Sequence, residues 1–172
     1  ANPVDFEVTG WDISKMNLYQ VVREPKYSNQ TYQQTERLLE AVVPLPAAFN
    51  PDFIAANQSD RVDNIIKGNN REIINQIRLD VQNFKKKVDY VVVLWTANTE
   101  MYLTPEIDSI AELERRIDAN ESLPASVLYC YACIKEQVLY LNGSPQNTFH
   151  PAIIELAKQE GGLIAGNDFK SG

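Results

Sequence analysis

The sequence predicts an α/β fold with a doubly wound, mainly parallel sheet, because short runs of strand character alternate with segments of helical periodicity. Residues 88–95 contain the run VVVLW, which is apolar on both alternating faces and typical of a strand buried from both sides. Residues 71–87 carry apolar side chains at helical spacing and predict an amphipathic helix. Polar loops follow the predicted strands, and ligands bind at this edge of such sheets.

The residues before this helix predict one strand and two more helices. Apolar and polar residues alternate at 4–8 and lead into a polar turn at 10–14, which predicts a short strand followed by a loop. Residues 16–22 are expected to begin a helix, and residues 31–43 predict another. Pro44 should end the second helix because proline has no backbone N–H to donate.

The rest of the chain repeats the alternation of helices and strands. We expect a helix that begins with a capping box at Ser109 and Glu112, and then an apolar helix at 127–138 after Pro124. A strand at 139–141 should follow. A helix should then run from Pro151 through Glu160, end at Gly161 and Gly162, and lead into a strand at 163–165. No repeat or linker divides the sequence, so residues 1–172 are expected to form part of one domain.

Composition and charge favour a globular protein of the cytoplasm. The chain has 16 basic and 23 acidic residues, a net charge of −7 and a pI near 4.8, which disfavours nucleic acid and anionic membranes as partners. No apolar run reaches the roughly 18–20 residues that span a bilayer. Residues 1–10 lack the basic segment followed by an apolar segment that is typical of a signal peptide. We expect Cys130 and Cys133 to be buried, inert thiols, with redox or metal chemistry as the alternative.

Four polar segments at predicted strand ends are candidate binding loops. Asp12 suits either a hydrogen bond to ribose hydroxyls or the capping of the next helix, and both roles stay open. Residues 96–99 suit close approach to a dinucleotide but are equally typical of a β-to-α turn. Residues 142–148 carry five hydrogen-bonding side chains around a glycine and favour a phosphate or sugar contact. Residues 166–172 place one cation and one hydroxyl between glycines but lack the full Walker pattern.

His150 is the only histidine of the chain. The sequence assigns it no serine or cysteine partner, so neither a catalytic triad nor a histidine-rich metal site is supported. We expect it at the surface or at the start of a helix. Together the residues are consistent with binding a dinucleotide and a small polyol or its phosphate, and they do not specify a reaction.

Five motifs in the same order resemble the eukaryotic myo-inositol-1-phosphate synthase family. They are GWDIS at 10–14, PDFIAANQ at 51–58, VLWTANTE at 93–100, NGSPQNTF at 142–149 and DFKSG at 168–172. The resemblance covers nearly the whole chain, from about residue 6 onward. It implies an incomplete Rossmann-like NAD-binding domain, with a glycine-rich loop before this segment and most catalytic lysines and the tetramer interface after it.

The resemblance also implies a reaction. Glucose 6-phosphate is oxidised at C5 by NAD, C6 is thereby acidified and closes on the C1 aldehyde, and the hydride returns to give inositol 3-phosphate. NAD is recycled, and the family uses lysines as electrophilic and acid–base groups. The implied partners are glucose 6-phosphate, the rest of the enzyme and further copies in a homotetramer.

Matching the motifs residue by residue implies a set of site residues. The implied NAD contacts are Asp12, Ala47, Ala48, Gln58, Arg61, Thr96, Ala97, Asn98, Thr99, Gly143, Ser144 and Asn167. The implied substrate contacts are Asp168, Lys170 and Ser171, and Lys170 is the one candidate catalytic residue in this segment.

Several positions depart from the family pattern. Met101 stands where the family usually has arginine, His150 and Ala152 replace valine and glycine on either side of a proline, and Asn167 replaces the first of two aspartates. The stretch 101–110 is also shorter than the family pattern. A non-catalytic relative that serves as a structural or binding subunit is therefore the alternative to a part of an active synthase, and a plain NAD-dependent oxidoreductase is a weaker one.

Overall fold

The structure is a computed structural model that describes residues 2, 5–23, 36–56 and 61–169. The chain divides into two compact units. The first unit comprises Ala1–Ala47 and Ser59–Ile66, and the second comprises Ala48–Gln58 and Lys67–Gly172. No helix in the described ranges is long and apolar enough to cross a bilayer.

The first unit contains a pair of short parallel strands, β1 (Trp11–Asp12) and β2 (Leu45–Pro46). The predicted first strand forms, but at Trp11–Asp12 and not at 4–8: residues 5–8 are not in a strand, residue 4 lies outside the described residues, and pairing begins where the Leu45 N–H donates to the Gly10 carbonyl at 2.8 Å. Phe6 and Val8 are exposed, and apolar alternation without a partner does not make a strand.

Two short helices complete the first unit. Helix α1 (Leu18–Val22) begins at a reciprocal capping box between Asn17 and Gln20. The described part of helix α2 covers 36–40 and ends before Pro44, whereas the predicted start of that helix at residue 31 lies outside the described residues.

The second unit is built on a parallel sheet of three strands in the order β3 (Val92–Trp95), β4 (Leu139–Asn142), β5 (Ile164–Gly166). The predicted parallel α/β fold is confirmed. Burial of β3 on both faces is wrong, because Val92 and Leu94 are 52% and 53% exposed. Only the face that carries Val93 and Tyr140 packs against helices in the described chain, and the Tyr140 hydroxyl donates to the Ser126 carbonyl at 3.4 Å.

The described part of the second unit contains four α-helices, α3 (Asn70–Lys85), α4 (Ile110–Asp118), α5 (Ala125–Lys135) and α6 (Pro151–Glu160), and a short 3-10 helix at Pro51–Phe53. All four were predicted. Helix α5 lies at the centre, since every residue from Ala125 to Ile134 is buried. The predicted capping box of α4 forms in one direction only: Ser109 accepts from the Glu112 N–H, while the Glu112 carboxylate accepts from Arg116.

The two cysteines lie on α5 and are fully buried, as expected. Burial raises the pKa of the Cys133 thiol to about 12 and that of Cys130 well above its ordinary value. Reactive thiolates need a lowered pKa and access to solvent. Both thiols are therefore inert.

Of the two expected places for His150, the start of a helix is confirmed, because it is the N-cap of α6, and the surface is wrong, because the residue is completely buried. Neither ring nitrogen has a hydrogen-bond partner among the described residues. Burial lowers the pKa of the imidazole, and the nearby Arg116 also lowers it while Glu106 and Asp108 raise it. A neutral ring is therefore enclosed by the packing around the start of α6.

We expect the replacement His150→Val to flatten the pH dependence of stability on the acidic side. The unfolded chain takes up a proton near the ordinary histidine pKa of about 6.5, whereas the buried ring stays neutral to lower pH. The native protein therefore loses stability as pH falls through this window, and the variant lacks this loss.

Urea denaturation at pH 7.5, 6.5 and 5.5 measures the free energy of unfolding of both proteins. The difference between variant and wild type should shift in favour of the variant as pH falls. A difference independent of pH would show that His150 does not titrate in this way.

Candidate functional site

The candidate site of the second unit is the edge where the three parallel strands end. Backbone hydrogen bonds continue past the strands: Gly143 N–H donates to the Trp95 carbonyl at 2.9 Å, and Asn167 N–H donates to the Asn142 carbonyl at 2.9 Å. The loops 96–99, 143–148 and 167–169 are therefore held side by side. This is the edge at which doubly wound sheets bind ligands.

The loop 96–99 presents small and polar side chains to solvent. All four residues are exposed, and the Ala97 carbonyl accepts a hydrogen bond from the Ser144 hydroxyl at 2.6 Å. The loop is thus anchored from the neighbouring loop, while the side chains of Thr96, Asn98 and Thr99 stay accessible. Such an arrangement leaves room for close approach of a dinucleotide.

Gly143 lies where no other residue fits. A Cβ at this position would be 2.6 Å from the Trp95 carbonyl oxygen and 2.6 Å from Cδ2 of Phe169. Its carbonyl in turn accepts from the Phe169 N–H at 3.2 Å. Glycine lets the loops after β3, β4 and β5 meet.

Asn142 joins the loops through its side-chain amide. The Oδ1 atom accepts from the Ser144 N–H at 3.2 Å and from Gln146 Nε2 at 3.1 Å. The Nδ2 group donates to the Gln146 carbonyl at 3.3 Å and to Asn167 Oδ1 at 3.2 Å. Asn142 is completely buried, so these four bonds satisfy it fully. The sequence marked this loop as polar but did not identify the organising role of Asn142.

The loop after β5 has a left-handed backbone. Gly166, Asn167 and Asp168 have φ of 107°, 111° and 87°. Each non-glycine residue in such a conformation costs on the order of 1–3 kcal/mol and persists only where the surroundings enforce it. Here the hydrogen bonds of Asn167 to Asn142 enforce it. Strain of this kind concentrates at binding and catalytic sites.

A cavity of about 340 Å³ opens beside these loops. It is lined by Tyr102, Leu103, Thr104, Glu106, Pro145, Gln146, Asn147 and Asn167. The Tyr102 hydroxyl donates to the Pro145 carbonyl at 2.9 Å and connects the two sides. Gln146 is 2% exposed, and its Oε1 atom has no partner among the described residues.

Asp12 closes a turn in the first unit. Its Oδ1 atom accepts from the Ser14 N–H at 2.8 Å, whereas helix α1 is capped by Asn17. The helix-capping role of Asp12 is therefore wrong. Asp12 pairs with Pro46, so Ala47 follows at the same strand end.

The other predicted NAD contacts differ in their burial and in which of their groups could contact the cofactor. Ala47 and Ala48 are both buried, and the Ala48 N–H already donates to the Tyr129 hydroxyl at 3.0 Å. A contact at Ala48 would thus use its methyl group or carbonyl. Arg61 is exposed in the first unit, while Gln58 lies outside the described residues.

The predicted substrate contacts are described only in part. Asp168 is exposed at the end of the left-handed run. Lys170 and Ser171 lie outside the described residues. Among the described residues, no cluster of three or more histidine, cysteine, aspartate or glutamate side chains is arranged to hold a metal ion.

The family model for myo-inositol-1-phosphate synthase matches residues 1–171. The chain belongs to this family. The matching model is that of its NAD-binding domain, so NAD is the cofactor of this domain. The resemblance seen in the five motifs is confirmed.

Named relatives support the same assignment. The chain is 46% identical to inositol-3-phosphate synthase 1 of Oryza sativa subsp. japonica and 47% identical to inositol-3-phosphate synthase of Sesamum indicum. Each alignment covers 100% of this chain and 35% of the relative. The crystal structure of inositol-3-phosphate synthase from Caenorhabditis elegans matches with a TM-score of 0.88 and 40% identity, over 95% of this chain and 34% of that chain. The chain thus spans about a third of the length of these relatives.

Replacement of Gly143 by alanine should disrupt the site edge. The added methyl would overlap the Trp95 carbonyl and the Phe169 ring, and such overpacking costs roughly 1–3 kcal/mol of unfolding free energy. Urea denaturation measures the loss.

The matched control is Gly10→Ala, because a Cβ at Gly10 meets no atom within 4 Å. The control should stay within about 0.5 kcal/mol of wild type. An equal loss in the two variants would contradict the steric role of Gly143.

Proposed function

We propose that the chain is the NAD-binding part of an inositol-3-phosphate synthase, which converts glucose 6-phosphate to inositol 3-phosphate. The observation that carries the proposal is the set of three polar loops at the carboxyl ends of β3, β4 and β5, in a chain of this family. Identity of 46–47% over the whole chain to named synthases supports it.

The chain's own residues are proposed to bind and orient the cofactor. NAD supplies a transient oxidation and its reversal. Residues 96–99 offer accessible side chains for it. Gly143 is half-buried beside them, Ser144 is buried and holds the loop through its bond to the Ala97 carbonyl, and Asn167 borders the adjoining cavity. Asp12, Ala47, Ala48, Gln58 and Arg61 are proposed as further contacts.

The substrate is proposed to meet the loop after β5. Asp168, Lys170 and Ser171 would contact glucose 6-phosphate, with Lys170 as an acid–base or electrophilic group. Exposure of Asp168 and its strained backbone support a role beyond packing. A homotetramer in the cytoplasm is part of the same proposal.

A non-catalytic binding subunit is the second candidate function. The observation that favours it is the uncharged amide of Asn167 beside the cavity, where the family resemblance implies a carboxylate. Its Oδ1 atom still accepts from Asn142, so the fold is kept while the charge is lost. Such a protein would bind NAD without forming inositol phosphate.

Titration of the complete polypeptide with NAD, combined with an assay of inositol phosphate formed from glucose 6-phosphate, tests the proposal. A synthase should bind NAD and form product without net NADH, because the hydride returns. Accumulation of NADH would indicate a plain oxidoreductase, and NAD binding without product would indicate the non-catalytic subunit.

The replacement Asp12→Ala should weaken NAD binding roughly tenfold, the size expected from loss of one hydrogen bond to a charged group. Asp12→Asn is the matched control for local structure, since an amide oxygen can still accept from the Ser14 N–H. Calorimetric titration measures both dissociation constants. Unchanged affinity in the alanine variant would remove Asp12 from the cofactor site.

A further inference from the structure

Glu100 is a buried carboxylate directly behind the loop 96–99. The residue is 3% exposed, and both carboxylate oxygens lie 3.3 Å from the Ser126 backbone nitrogen. Among the described residues no ion pair includes Glu100. Burial of a carboxylate without a cation is unfavourable unless hydrogen bonds and local dipoles offset it.

The carboxylate supplies the missing cap of helix α5. The first N–H groups of a helix have no partner within the helix, and Pro124 at the cap position provides no side-chain acceptor. Glu100 provides it from a distant part of the sequence, and its charge is favoured at the positive end of the helix dipole. One side chain thus fixes both the start of α5 and the end of the loop 96–99.

The start of helix α5 is also hydrogen-bonded to the loop after β4, through Ser126. The Thr148 hydroxyl donates to the Ser126 hydroxyl at 2.9 Å. Gln146 Nε2 donates to Thr148 Oγ1 at 3.4 Å and to Asn142 Oδ1 at 3.1 Å. All of these residues are buried. A continuous hydrogen-bonded run therefore leads from Glu100 to Asn142, which joins the loops of the candidate site.

We propose that Glu100 is a positioning residue for the NAD site. It fixes the loop 96–99 at one end, while the bond from Ser144 to the Ala97 carbonyl fixes it nearer the middle. Asn98 and Thr99 lie between these anchors and are exposed, as are Thr96 and Ala97. Without Glu100, the cofactor would have to order the loop on binding, and the cost of that ordering appears as lower affinity. The inference rests on the proposed function because its readout is NAD binding.

The test compares Glu100→Ala with Glu72→Ala in the complete polypeptide. Glu72 is the control for the loss of a helix cap at an exposed position, because its carboxylate accepts from the Asn69 N–H at 2.8 Å at the start of α3. Both variants should lose stability, as loss of a cap does. Only Glu100→Ala should raise the dissociation constant of NAD, by roughly fivefold to tenfold.

Two more variants separate positioning from general destabilisation. Glu100→Gln keeps an oxygen acceptor for the Ser126 N–H and should restore affinity to within about twofold of wild type. Thr148→Val removes the hydroxyl that connects Ser126 to Gln146 but leaves the Glu100 cap in place, and should weaken NAD binding about threefold. In turnover assays the KM for NAD should rise in Glu100→Ala while kcat stays within about twofold, because Glu100 does not touch the reacting atoms.

The outcomes are distinct. If wild type does not bind NAD, the proposed function fails. If wild type binds NAD and Glu100→Ala binds as tightly as Glu72→Ala, the positioning role is overturned while the proposed function stands. If Glu100→Ala does not fold, Thr148→Val decides: unchanged affinity in that variant overturns the inference.

Discussion

The candidate site depends on the burial of helix α5. The helix is apolar on all sides, and its residues from Ala125 to Ile134 are enclosed by α3, α6 and β4. Burial of an apolar surface is the dominant favourable contribution to folding, so this helix determines where β4 lies. The neighbours of β4 then bring three strand ends together. The loops at those ends therefore depend on a helix that contributes none of their side chains.

The loops themselves are ordered by polar rather than apolar contacts. Asn142 is completely buried and uses all four of its hydrogen-bonding positions on neighbouring loops. Buried polar groups must be paired, and a fully paired network specifies one arrangement. An apolar residue at this position would fill the space but would leave the partners of Asn142 unsatisfied.

The elements that were predicted correctly have strong local signals. Helix α3 combines a capping box with regular apolar spacing, and α6 begins with Pro151 and ends with Gly161 in the left-handed conformation. Predictions failed where the conformation or burial of a residue depends on residues far away in the sequence. Residues 5–8 pair with no strand among the described residues. Asp12 accepts from the Ser14 N–H, although the sequence favoured its role as a helix cap. Burial of His150 is set by tertiary packing, which no local pattern records.

The left-handed run at Gly166, Asn167 and Asp168 has a consequence for hydrogen exchange. Strand β5 pairs only with β4 among the described strands, and local opening of this pairing would relax all three residues at once. Conformational energy held in the loop therefore lowers the free energy of opening at this strand relative to β4. Amide protons of β5 would exchange through local opening of the strand, whereas those of β4 would exchange only when the whole unit unfolds.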